Sequence, residues 1–153
     1  MSVDIREVRE IGELMEWRQE VIRHVFGREP SSSLMEANRD YYLRHVADGS
    51  HLAVVAFLGE KGIGCGGVCF GDELPSPDNP SGRCAYLMNI YVREEFRSHG
   101  VAHKIVEYLI ARARQRDCGK IYLETTDEGR PVYSSIGFRD MEGMMKYYGN
   151  TSD

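Results

Sequence analysis

Apolar and polar residues follow two different periods along the first 50 residues of this chain. Residues 3–8 alternate between apolar and polar side chains, which is typical of a short strand with one buried face. In residues 11–26, apolar side chains recur every three or four positions, which predicts an amphipathic helix. A run of three serines, residues 31–33, is suited to begin a second helix that reaches about Val46.

The middle of the chain carries three predicted strands. Residues 51–58 are almost continuously apolar, which is typical of a strand buried on both faces. Residues 63–70 predict a second strand, whose glycines fit a bulged or closely packed backbone. Residues 71–82 hold three prolines, a content that excludes a helix or a central strand, and residues 84–92 predict the third strand. Three consecutive strands suggest antiparallel pairing.

The last third of the chain alternates between helices and strands. Helical spacing of apolar residues predicts a long helix over residues 98–118. Alternating residues predict a strand over 120–125, and a short helix is predicted over 131–136. Residues 138–141 and 143–148 predict a final pair of strands. Strands that are linked through a helix favour a parallel crossover, so the sheet is expected to be mixed.

One domain accounts for the whole chain. Its 153 residues suffice for one core and do not comfortably form two domains. The predicted order of elements is β-α-α-β-β-β-α-β-α-β-β. We therefore expect an α+β fold class, with a mixed α/β sheet, for a single domain over residues 1–153.

The formal net charge of −5 narrows the class of partner. A general nucleic-acid-binding protein usually carries a basic surplus or patch, so we expect no nucleic-acid partner. No apolar run approaches the ~20 residues of a membrane span, and the charged N-terminus is unlike a signal peptide. We therefore predict a cytoplasmic protein with no membrane partner.

The cysteine pattern favours reduced thiols over a metal site. Cys65 and Cys69 are separated by three residues, which is not the two-residue spacing of a zinc knuckle. Three of the four cysteines lie in predicted strands, where free cysteines are usually buried. We expect buried thiols and no metal.

The start of the long helix has the features of an anion-binding site. Its first residues are Arg97-Ser98-His99-Gly100-Val101-Ala102, and they follow a predicted strand and a short turn. A helix N-terminus presents unpaired N–H groups and a partial positive charge, which together bind phosphate. A solvated basic helix start is the alternative interpretation of the same residues.

Two motifs resemble those of the GNAT acetyltransferase superfamily. Arg-x-x-Gly-x-Ala at residues 97–102, directly after the strand pattern of residues 87–92, looks like the family's motif A. Residues 131–138 resemble its motif B, in which a tyrosine stands four residues before Gly-Phe. The two motifs occur in the family's order, with one helix and one strand between them, and the whole predicted element order agrees with that fold.

The resemblance implies an acyl-CoA-dependent N-acetyltransferase (EC 2.3.1.-) with acetyl-CoA as co-substrate. Two parallel strands of the family separate, and the pantetheine arm lies in the gap against exposed backbone. The pyrophosphate lies on the amides at the helix start. Tyr133 matches the family tyrosine that commonly hydrogen-bonds or protonates the departing sulfur, and a phenol is protonated at neutral pH, so it can donate. The implied cofactor-binding residues are Ile90, Val92, Arg97, Ser98, His99, Gly100, Val101 and Ala102.

The general base is not assigned by the sequence. Some relatives carry a glutamate about eleven residues before the motif A arginine, and this chain has Tyr86 there. Tyr86 is a poor base unless its pKa is lowered. Other candidates are Asp72, Glu73, Glu124 and an ordered water. The asparagine that many relatives place before motif B is absent from residues 125–130.

The expected reaction is direct attack of a primary amine on the thioester in a ternary complex. The acceptor is a small-molecule amine or a peptide amine, in a pocket formed by the two N-terminal helices, the 71–82 loop and the C-terminal strands. Trp17, Tyr41 and Tyr42 either line that pocket or pack between the helices. The rival hypothesis is a non-catalytic acyl-CoA-binding or regulatory module on the same fold. Apolar residues near the C-terminus suggest either a homodimer contact or burial within one chain, and they are Met141, Met144, Met145, Tyr147 and Tyr148.

Overall fold

Residues 2–149 are described by a computed structural model, and they form a five-stranded sheet with four α-helices. Met1 and residues 150–153 of the predicted domain lie outside the described residues. A 3-10 turn, Glu94–Phe96, precedes the third helix. In chain order the elements are β1 (Asp4–Glu7), α1 (Ile11–Val25), α2 (Ser32–His45), β2 (His51–Leu58), β3 (Lys61–Asp72), β4 (Arg83–Val92), α3 (Val101–Gln115), β5 (Lys120–Leu123) and α4 (Arg130–Ile136).

The sheet is mixed, as the sequence predicted. Its strands lie in the order β1-β2-β3-β4-β5, and neighbouring strands from β1 to β4 are antiparallel. The connections between β2, β3 and β4 run directly from strand to strand, which permits antiparallel pairing. β5 is parallel to β4 because α3 returns the chain to the same end of the sheet.

The sheet is covered by helices on both faces, which explains why β2 is apolar at nearly every position. Val54 and Ala56 pack in one cluster with Ile105 and Leu109 of α3. Val55, next to them in sequence, packs with residues of α1 on the opposite face. Alternate residues of a strand face opposite sides, so both sets of side chains are buried.

Close packing of α3 on β3 explains the glycines of that strand. A Cβ atom on Gly66 would lie 2.6 Å from Ile105 Cγ2 and 3.3 Å from Leu109 Cδ1. A Cβ on Gly64 would lie 2.7 Å from the Tyr91 carbonyl oxygen. The glycines therefore let the helix and the neighbouring strand approach β3, as expected for a closely packed strand.

The predicted final pair of strands is wrong for the described residues. Residues 138–149 contain no strand, and β5 has β4 as its neighbour in the sheet and no partner on its other edge. A segment with alternating apolar residues forms a strand only when a neighbouring strand can pair with its backbone N–H and C=O groups. Here Met144, Met145 and Tyr147 are exposed instead.

The boundaries of the helices differ from prediction mainly in α3, which is three residues shorter at each end than the predicted helix over residues 98–118. The helix begins at Val101 rather than at residue 98, because Ser98 and Gly100 both have positive φ angles. The second helix begins as predicted, with the Ser31 hydroxyl accepting a hydrogen bond from the Leu34 amide at 3.1 Å. All four cysteines are free; two of them, Cys65 and Cys84, are buried, and the other two are partly exposed.

Candidate active site

A cleft of about 1240 Å³ opens where β4 and β5 separate. The two strands pair from Cys84 opposite Lys120 to Leu87 opposite Leu123, where β5 ends. β4 continues to Val92, so its last peptide groups face the cleft without a β5 neighbour. Unpaired backbone groups of a strand are hydrogen-bonding sites for an extended ligand. This is the gap that the motifs predicted.

A bulge bends β4 beside the cleft. The register between β3 and β4 shifts by one residue, and Asn89 in that stretch has a φ angle of 59°. Asparagine is among the residues that tolerate this region of backbone space. Its side-chain oxygen accepts a hydrogen bond from Arg18 Nη1 at 2.9 Å. Sequence reasoning did not assign Arg18 or Asn89 to the site. The local signal was a single asparagine in an otherwise apolar strand.

The start of α3 presents its backbone amides to the cleft. Gly100 is the N-cap residue with a φ angle of 79°, and no side chain caps the helix there. A Cβ atom at Gly100 would meet nothing within 4 Å, so glycine is needed for the backbone angle rather than for space. Uncapped amides at the positive end of the helix dipole form a site for a phosphate group.

Seven of the eight predicted cofactor-binding residues line the cleft. The exception is His99, which is exposed and does not line it. The Arg97 guanidinium is held in place because its Nε donates to the Val92 carbonyl at 2.9 Å. The seven lining residues are Ile90, Val92, Arg97, Ser98, Gly100, Val101 and Ala102.

Tyr133, the predicted acid, lines the same cleft from α4. Its ring packs edge-on against Phe138, with 6.0 Å between the ring centroids. Burial raises the pKa of Tyr133, so the phenol is protonated at neutral pH. Among residues 2–149 its hydroxyl has no hydrogen-bond partner, so its proton is not engaged within the fold.

The candidates for the general base fall in different places. Burial, and then the charge of Glu124, raise the pKa of Tyr86, so Tyr86 is not a base at neutral pH. Glu73 lies outside the cleft, where Asn79 and Lys120 bond to it and lower its pKa. Asp72 lines a different, smaller hollow. Of the three candidate carboxylates, Glu124 lines the cleft.

The far end of the cleft is formed by α1, α2 and residues of the sheet. Tyr41, Tyr42 and His51 line it, and the Tyr41 hydroxyl lies 2.9 Å from His51 Nδ1. Burial, and then the positive charges of His45 and Arg18, lower the pKa of His51 to about 4. His51 is therefore neutral at physiological pH. The 71–82 loop and the described part of the C-terminal segment do not line this cleft.

Trp17 belongs to the packing between α1 and the sheet rather than to the cleft. Its ring lies 4.5 Å below the guanidinium of Arg93 and meets Tyr91 edge-on. Arg93 in turn donates to both carboxylate oxygens of Glu20, each at 2.9 Å, and this pairing lowers the pKa of Glu20. The positive charge of Arg93 is thus compensated within the fold by the carboxylate of Glu20.

The chain belongs to the GNAT acetyltransferase family. The family described as "Acetyltransferase (GNAT) family" matches residues 12–138. The chain's fold is similar to that of a predicted acetyltransferase from Clostridium acetobutylicum solved with acetyl-CoA. The two are 25% identical, with a TM-score of 0.86 over 95% of this chain and 96% of that one. A GCN5-related N-acetyltransferase from Ralstonia eutropha JMP134 has a TM-score of 0.80 at 23% identity, over 95% and 98% of the two chains.

Two curated relatives match a smaller part of the chain. N-alpha-acetyltransferase 30 of Saccharomyces cerevisiae is 35% identical over 71 residues, 44% of this chain and 40% of the relative. Thialysine N-epsilon-acetyltransferase of Sus scrofa is 27% identical over 89 residues, 44% of this chain and 52% of the relative. The matches therefore span about half of those relatives or less.

Two further properties concern the part of the chain between residues 2 and 149. No helix there is both long and apolar enough to cross a membrane. No group of three or more histidine, cysteine, aspartate or glutamate side chains is placed to hold a metal ion.

Proposed function

We propose that this chain transfers the acetyl group of acetyl-CoA to a primary amine by direct attack in a ternary complex. The observation that carries the proposal is one continuous cleft. It is lined by the open edge of β4, the uncapped start of α3 and Tyr133. A phosphate-binding end, an extended backbone edge and a proton donor are the three features that this reaction requires.

The residues of the chain fit acetyl-CoA as co-substrate. The amides of residues 98–102 and the Arg97 side chain would hold the pyrophosphate, and the free edge of β4 at Ile90 and Val92 would bind the pantetheine arm. The Val92 carbonyl already accepts a hydrogen bond from Arg97, which ties the phosphate-binding end to the strand edge.

Tyr133 supplies the proton that the departing sulfur needs. The ammonium form of the acceptor first loses a proton to water. The nitrogen of the neutral amine then forms a bond to the thioester carbonyl carbon, and the carbon–sulfur bond breaks with its electron pair on sulfur. The Tyr133 hydroxyl donates its proton to that sulfur, and the proton released by the amine returns to the phenol through solvent. The raised pKa of Tyr133 keeps the proton on the oxygen until the sulfur becomes basic.

A titration and a kinetic comparison test this function together. We expect saturable binding of acetyl-CoA, weaker binding of an analogue without the pyrophosphate, and release of free CoA with at least one amine of a broad panel. Tyr133→Phe should lower kcat by about 10²-fold or more, in the range of general-acid catalysis, with little change in acetyl-CoA affinity. Tyr108→Phe is the matched control, because Tyr108 lies on α3 outside the cleft and binds Glu7.

Two results would contradict the proposal. Absence of acetyl-CoA binding at millimolar concentration would remove the co-substrate. Binding without turnover of any amine, together with an unchanged Tyr133→Phe variant, would favour a non-catalytic acyl-CoA-binding module.

A further inference from the structure

The far end of the cleft, formed by α1, α2 and the sheet, is the part left for the acceptor, and it contains a positively charged side chain with neutral partners. Arg18 lies on α1 and lines the cleft. Its Nε donates to Asn38 Oδ1 and its Nη1 donates to Asn89 Oδ1, each at 2.9 Å. Both acceptors are amide oxygens, so neither cancels the charge of the guanidinium.

Other arginines near the sheet are differently paired. Arg93 is bound by Glu20, and Arg112 is bound by Glu7. Within residues 2–149, no carboxylate lies within ion-pair distance of Arg18. A partly buried guanidinium without a counter-charge is costly unless a ligand supplies one, and a planar carboxylate fits its donor geometry.

The two amide partners fix the direction of the Arg18 side chain. Asn38 holds it from α2, and Asn89 holds it from the bulge of β4. Two of its five N–H groups are used in these bonds, and the others have no partner among the described residues. The ring of Phe26 lies 5.9 Å from the guanidinium carbon, on the wall of the cleft.

The position of Arg18 also relates it to the reaction. Asn89, its partner, adjoins Ile90 on the free edge of β4, the edge that is proposed to bind the pantetheine arm. Glu124, directly after β5, and Glu128, in the loop before α4, also line the cleft. The same cleft therefore carries a guanidinium from α1 and two carboxylates from the segment between β5 and α4.

We propose that Arg18 binds a carboxylate of the acceptor, and that the acceptor is an amino acid carrying both an amine and a free carboxylate. This inference rests on the proposed function and names its substrate class. The carboxylates of Glu124 and Glu128 attract the ammonium form of the amine, while Arg18 orients the molecule through its carboxylate. An amine without a carboxylate would leave the guanidinium uncompensated.

The test compares acceptors that differ only in the carboxylate. Release of CoA is measured with the twenty L-amino acids, with their α-carboxamides and with the corresponding amines lacking the carboxyl group. We expect kcat/KM for the preferred amino acid to exceed that of its carboxamide by about 10- to 100-fold, as expected for a charged hydrogen bond. Calorimetric binding of the same compounds to the CoA-bound protein provides a readout that is independent of turnover.

Variants of α1 separate recognition from structural support. Arg18→Gln should abolish the preference for the carboxylate by lowering kcat/KM for the amino acid alone, and Arg18→Lys should restore part of it. Arg23→Gln is the matched control, because Arg23 carries the same charge on α1, pairs with Glu29 and lies outside the cleft. It should leave the preference unchanged.

Three outcomes would overturn the inference. Carboxamides or simple amines used as well as amino acids would show that no carboxylate is recognised, while the acetyltransferase function would stand. An equal loss for all acceptors in Arg18→Gln would assign Arg18 a structural role. Failure of acetyl-CoA to bind would remove the proposed function itself, and with it this substrate class.

Discussion

The Tyr41 hydroxyl and the His51 imidazole share a hydrogen bond of 2.9 Å that joins α2 to the first residue of β2. Their rings meet edge-on with 5.2 Å between centroids. The imidazole occupies space above Gly67 of β3, where a Cβ atom would lie 2.9 Å from His51 Nε2. A neutral histidine is therefore built into the wall of the cleft.

Burial of His51 predicts a specific pH dependence of stability. Its pKa is lowered to about 4 in the folded chain, whereas an unfolded histidine has a pKa of about 6.5. Between these values the unfolded chain binds a proton that the folded chain does not, so the free energy of unfolding falls as the pH falls from about 6.5 to about 4. The full contribution of this residue is about 3 kcal/mol, and it is measured by urea denaturation across that pH range.

The matched variant is His51→Gln, which keeps a polar group beside Tyr41 and cannot titrate. Its stability should vary less between pH 6.5 and 4.5 than that of the parent chain. A pH profile that is identical for both proteins would show that His51 has the same pKa in the folded and in the unfolded chain.

Close packing of β3 against α3 predicts unequal effects of two glycine substitutions. Gly66→Ala places a methyl group 2.6 Å from Ile105 Cγ2, so we expect a loss of about 1–3 kcal/mol in the free energy of unfolding. Gly71→Ala, in the same strand, meets nothing within 4 Å and should change stability by less than about 0.5 kcal/mol. Chemical denaturation measures both; equal effects would contradict the packing argument.

The backbone angle at Gly100 predicts a loss of cofactor affinity. Gly100→Ala forces an L-residue to a φ angle of 79°, which costs about 1–2 kcal/mol or changes the loop before α3. Acetyl-CoA should then bind more weakly, as measured by calorimetry. Gly100→Asn also adds a Cβ atom but tolerates this angle better, so its loss should be smaller. Equal losses in the two variants would exclude the backbone angle as the cause.

The exposed apolar side chains of the C-terminal segment predict a homodimer. Met144 is 61% exposed, Met145 is 97% exposed and Tyr147 is 91% exposed. The alternative of burial within one chain does not apply to these residues, and exposed apolar groups in one short segment favour a protein contact. Light scattering should report a dimer that Met145→Asp weakens. A monomer at high protein concentration would contradict the prediction.

The elements of the fold were predicted correctly where the local sequence pattern agrees with the tertiary surroundings of the residues. The apolar run of β2 indicated a doubly covered strand, and helices do lie on both of its faces. The serine at the start of α2 occupies the cap position that was predicted for it, whereas Gly100, predicted inside the third helix, is the residue that precedes it. The predicted strands after residue 138 failed, because their pairing depends on a neighbour that the local pattern does not reveal.

The candidate site also has one part that the sequence predicted and one part that it did not. Motif residues such as Arg97, Gly100 and Tyr133 are close enough to regular elements for sequence order to bring them to one gap, so their place in the cleft was predictable. The far end of the cleft was not predictable, because it depends on a hydrogen bond between Arg18 and Asn89, which are 71 positions apart in sequence. No periodicity encodes such a contact. Sequence order thus accounts for the part of the cleft that is proposed to bind acetyl-CoA, and long-range packing of α1 and α2 on the bulged strand decides the part that is proposed to bind the acceptor.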